Sequence, residues 1–62
     1  ALYYLYQGKL HVFEDGDERV LLTPEDKNWF FNSFSISDSN VVLTQKSKSN
    51  TYLIEITKLD KT

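Results

Sequence analysis

Apolar and polar residues alternate with a period of two along most of the chain. The clearest case is Ser33-Phe34-Ser35-Ile36-Ser37, where Phe34 and Ile36 face one way and three hydroxyls the other. That run predicts a half-solvated strand. The stretches Leu2 to Tyr6, Lys9 to Glu14, Arg19 to Leu22, Val41 to Ser47 and Thr51 to Lys58, rich in β-branched and aromatic residues, predict five more. Turn-forming residues separate most of them: Gln7-Gly8, Asp15-Gly16-Asp17, Asp38-Ser39-Asn40 and Ser47-Lys48-Ser49-Asn50. Connections this short join antiparallel neighbours. One segment departs from the pattern. Thr23-Pro24-Glu25-Asp26 sets a capping hydroxyl before a proline and two acids, the composition of a helix start, and predicts one or two helical turns from Pro24 to Phe30. The expectation is one all-β domain over residues 1–62. It is a small antiparallel barrel or strongly twisted sheet of five or six strands, with that short helical turn.

A two-residue loop at Gln7-Gly8 would pair Leu5 with Leu10 and Tyr3 with Val12, placing four apolar side chains on one face, the core face. The opposite face then carries Tyr4, Tyr6, Lys9, His11 and Phe13, with Tyr4 directly across from His11. Two readings of that second face stand side by side. It is the outer wrap of a small barrel, or it is a recognition surface, since Tyr, Trp and Phe are enriched at interfaces. Trp29 carries the same ambiguity, as a plug for the core or as an exposed contact beside Phe30 and Phe31.

Composition narrows the chemistry. With 62 residues, 40% of them hydrophobic and 26% charged, the chain reads as one folded domain rather than a disordered or low-complexity segment. There is no cysteine and a single histidine, so disulfides, thiol nucleophiles and multi-histidine metal sites are not expected. No Gly-x-Ser-x-Gly elbow, P-loop or dinucleotide fingerprint is present, and Asp15-Gly16-Asp17 lacks the further oxygen ligands of a calcium loop. An enzyme is not expected, nor a cofactor or a metal. No apolar run approaches the length of about 18 residues that spans a bilayer, and no signal peptide is seen on the chain as given. An intracellular setting is the expectation.

Charge divides the chain. Residues 1–31 sum to −3 and residues 32–62 to +1, for a total of −2. A phosphate backbone meets net repulsion from such a chain, which disfavours nucleic acid as a partner. The reading that follows is a non-enzymatic protein-interaction module, using Tyr3, Tyr4, Tyr6, His11, Phe13 and Trp29 with the flanking acids Asp15, Asp17 and Glu18. Its partner is a protein or peptide, favoured by a basic patch. One alternative is a small inhibitor that blocks a basic site on a nucleic-acid enzyme with acids of residues 14–26. Another is single-stranded nucleic-acid binding through Lys46, Lys48, Lys58 and Lys61. The late strands also have few breakers, so self-pairing into a homodimer through edge strands is expected.

Two family resemblances accompany this reading. Ala1-Leu2-Tyr3, Gly16-Asp17 and Trp29-Phe30 resemble, in that order, three motifs of the SH3 domain. The resemblance covers residues 1–31 and implies a groove for Pro-rich ligands, lined by Tyr3 and Trp29, with Asp15, Asp17 or Glu18 as its acids. Gly8 to Phe13, Val20-Leu21-Leu22-Thr23-Pro24 and Phe34-Ser35-Ile36-Ser37-Asp38 are similar to a blade and a half of a TolB-like β-propeller. That similarity implies a fragment of a larger array, because a closed propeller needs at least four blades.

Overall fold

Gln7 and Gly8, Asp15 and Gly16, and Asp38 and Ser39 all have positive φ in the computed structural model, which describes residues 1–59. A two-residue loop with both φ positive is a type I′ turn, whose twist matches that of the strands it joins. Six strands result: β1 (Leu2–Tyr6), β2 (Lys9–Glu14), β3 (Asp17–Leu22), β4 (Trp29–Ser37), β5 (Asn40–Ser47) and β6 (Tyr52–Lys58). All pairings are antiparallel. The first hairpin has the expected register, with Leu5 opposite Leu10, Tyr3 opposite Val12 and Tyr4 opposite His11.

The strands form two three-stranded sheets, β1-β2-β3 and β4-β5-β6, and not a closed barrel. The connection from Thr23 to Asn28 carries the chain from one sheet to the other instead of pairing β3 with β4. Among the described residues one backbone hydrogen bond stitches the sheets across the first turn, from Phe31 N–H to the Gly8 carbonyl at 2.9 Å. Leu10, Phe31, Val41 and Leu43 form the shared core, flanked by Tyr3, Leu5, Leu21, Leu22, Phe34, Ile36 and Leu59.

The helical turn expected from Pro24 to Phe30 is absent; bends and a turn occupy residues 25–28. The Asp26 carboxylate accepts from Asn28 N–H at 2.8 Å, and its carbonyl accepts from Trp29 N–H at 3.0 Å. One or two helical turns have no stability of their own in water. Extending Trp29, Phe30 and Phe31 into β4 pairs them with Ser47, Lys46 and Gln45 and sends Phe31 into the core. Burial of that ring prevails over a local helix-start composition. Lys61 lies outside the described residues.

Candidate functional site

Alternation on β1-β2-β3 sorts the side chains into two faces. Tyr3, Leu5, Leu10 and Val12 lie on the core face. Leu2, Tyr4, Tyr6, Lys9, His11, Phe13, Glu18 and Val20 share the outer one. This outer face is strongly apolar for an exposed surface: Leu2 is 63% exposed, Tyr6 58% and Phe13 45%.

His11 is the fixed point of the face, only 7% exposed although it lies on the outside. Its ring stacks on Tyr4 with centroids 5.3 Å apart and planes at 13°, and meets Tyr6 edge-on at 5.7 Å. Nε2 lies 3.2 Å from the Tyr6 carbonyl, so the tautomer that donates from Nε2 satisfies that contact. Nδ1 is then a buried acceptor with no hydrogen-bond partner, 3.7 Å from Glu18 Oε1. Desolvation, together with a hydrogen bond to Glu18 and its charge, pushes the Tyr4 phenol above its ordinary value.

The structure brings Tyr4, Tyr6, His11, Phe13 and Glu18 onto one surface, and sets Asp15 in the β2–β3 turn with Asp17 directly after it. Glu14, opposite Asp17, pairs with Arg19 at 3.4 Å across an exposed contact worth little stability. Tyr3 and Trp29 stand apart from this surface. Tyr3 turns towards the core, and half-buried Trp29 begins β4 opposite Ser47. There it lines a cavity of about 190 Å³ with Glu25, Asp26, Gln45, Leu53 and Glu55, in which Gln45 Nε2 donates to Glu55 at 2.7 Å. Among the described residues no three His, Asp or Glu side chains are placed to hold a metal ion.

A second apolar surface escaped the sequence reading. On the outer face of β4-β5-β6, Val42 lies opposite Ile56, Thr44 opposite Ile54 and Lys46 opposite both Phe30 and Tyr52. Ile54 is 73% exposed and Ile56 69%. The available signal was Tyr52-Leu53-Ile54, an apolar run without alternation, which marks a strand that offers apolar groups on both sides. No family model, curated protein or solved structure matches the chain.

Proposed function

We propose that the chain is a non-enzymatic protein-interaction module that works through the outer face of β1-β2-β3. The observation that carries this reading is the exposure of Leu2, Tyr6 and Phe13 around the packed Tyr4–His11–Tyr6 cluster. Rings already held against one another lose little freedom on binding, so their buried area converts efficiently into affinity. Glu18 on the face, with Asp15 and Asp17 at its end, favours a partner that offers apolar groups beside a Lys or Arg.

The test compares a tagged wild-type chain with Phe13→Asp and Lys48→Ala as bait, captured proteins being identified by mass spectrometry. A defined set held by the wild type and by Lys48→Ala is expected to be lost from Phe13→Asp, while circular dichroism shows all three folded. Undiminished capture by Phe13→Asp would sink the proposal.

A second reading draws support from the apolar outer faces on both sheets: a body with two such faces suits one member of a larger array, as the TolB-like similarity implies. Thr23-Pro24 lies in the connection after β3, and Asp38 in the turn after β4.

A further inference from the structure

Among the described residues nothing packs against the outer face of β4-β5-β6. Its apolar part, Val42, Tyr52, Ile54 and Ile56, runs along β5 and β6, while β4 contributes Phe30, Ser33 and Ser35 to the same side. Lys46 and Lys58 flank it, and Lys46 Nζ sits 5.6 Å from the Tyr52 ring. No carboxylate occupies a position on that side of the three strands. The outer face of β1-β2-β3 has the same apolar character, with Lys9 and Glu18 on the face itself and Asp15 in the turn at its end. Over β1-β2-β3 and their turns, Lys9 and Arg19 stand against Glu14, Asp15, Asp17 and Glu18, which leaves −2. Over β4-β5-β6 and their turns, Lys46, Lys48 and Lys58 stand against Asp38 and Glu55, which leaves +1.

We propose that the outer face of β4-β5-β6 is covered by the outer face of β1-β2-β3 of a second copy of the chain, head to tail. The inference rests on the reading of the latter face as a contact surface and supplies its partner. Charge disfavours covering this face with its own copy. Two β4-β5-β6 faces together would oppose Lys46 and Lys58 to lysines with no carboxylate between them, whereas head-to-tail contact brings Glu18, from the sheet of net −2, to that face. A stable contact hides about 800 Å² on each partner. Two such contacts per copy would cover roughly a third of the 4674 Å² surface. A contact between different faces leaves one of each free at the ends, so copies add on until a ring closes or a chain extends.

The experiment blocks one face at a time. Phe13→Asp blocks the first face and Ile54→Asp the second, both at exposed positions, and circular dichroism and melting confirm that each variant folds. In analytical ultracentrifugation at low salt the wild type is expected to form assemblies that grow with concentration. Each variant alone is expected to remain a monomer, and their equimolar mixture to sediment with twice the monomer mass, since the one intact face of each fits the other. Glu18→Lys gives an independent measure, lowering the association constant roughly tenfold. A dimer formed by either blocked variant on its own would overturn the head-to-tail contact in favour of a symmetric one. A wild type that stays monomeric throughout its soluble range, while Phe13→Asp still loses its captured partners, overturns the self-contact and leaves the contact-surface reading standing. Phe13→Asp changing neither measurement overturns both.

Discussion

Gly8 is the residue on which the joining of the two sheets depends. It has φ +75°, and a Cβ placed on it would lie 2.5 Å from Phe30 Cβ, an atom tied directly to the β4 backbone. The neighbouring Phe31 N–H bonds to the Gly8 carbonyl, so β4 has no room to retreat without loosening that link. Gly16 has nearly the same φ, +80°, but nothing within 4 Å, and so separates the cost of conformation from the cost of contact. In urea unfolding Gly16→Ala should lose about 1 kcal/mol, and Gly8→Ala at least about 2 kcal/mol more. Equal losses would show that Phe30 yields freely. On the outer face, Tyr4 is the titrating reporter of Glu18. Its phenol is raised by desolvation and by that carboxylate, so a difference absorbance titration should find one tyrosine ionising above the ordinary value, absent in Tyr4→Phe and lowered in Glu18→Gln. The neutral phenol favours the folded state. Its contribution is therefore complete below the ordinary value, near pH 10, and lost as pH climbs through the raised one.

Ser47 closes the β5–β6 hairpin where no glycine is present. Its hydroxyl accepts from Ser49 N–H at 3.2 Å and Thr51 N–H at 3.1 Å, while its own N–H donates to the Thr51 carbonyl at 2.8 Å. Because Ser47 is buried, removing the hydroxyl leaves both amides short of a partner, and Ser47→Ala should cost about 1–3 kcal/mol in the same unfolding assay. A loss no greater than that of exposed Ser49→Ala would mean that water replaces the bonds. The six strands and the first hairpin's register were legible in the sequence because type I′ turn residues and strict alternation act locally. Residues 23–31 were not. Pro24, Glu25 and Asp26 suit a helix start and a tight turn equally, and the choice depended on core space for Phe31 that no local pattern displays. The Tyr4–His11 pairing followed from register alone. The exposure of Ile54 and Ile56 did not, because both lie on the row of β6 that faces away from the core, paired with Thr44 and Val42, where no other described element packs.

The whole molecule is more open than its size requires. Its radius of gyration is 11.7 Å, where a compact chain of this length has about 10.5 Å. Its 4674 Å² of surface exceeds the roughly 4,200 Å² expected for 7.3 kDa. Exposed apolar side chains form rows on the outer faces of β1 and β6: Leu2 and Tyr6 on one, Tyr52, Ile54 and Ile56 on the other. Such a body buries too little apolar area to be strongly stable alone, since small domains without disulfides or metals lie close to the folding threshold. Anything that covers those rows and binds only the folded chain adds stability by mass action. The covering partner proposed here is another copy, so stability and concentration become linked. The wild-type melting midpoint should rise with protein concentration, whereas Phe13→Asp and Ile54→Asp should each melt at a fixed temperature and their mixture should recover the dependence. Scanning calorimetry over a hundredfold dilution series measures this directly. A wild-type midpoint that does not move would mean that β1-β2-β3 and β4-β5-β6 stand unaided, with their outer isoleucines and tyrosines in water.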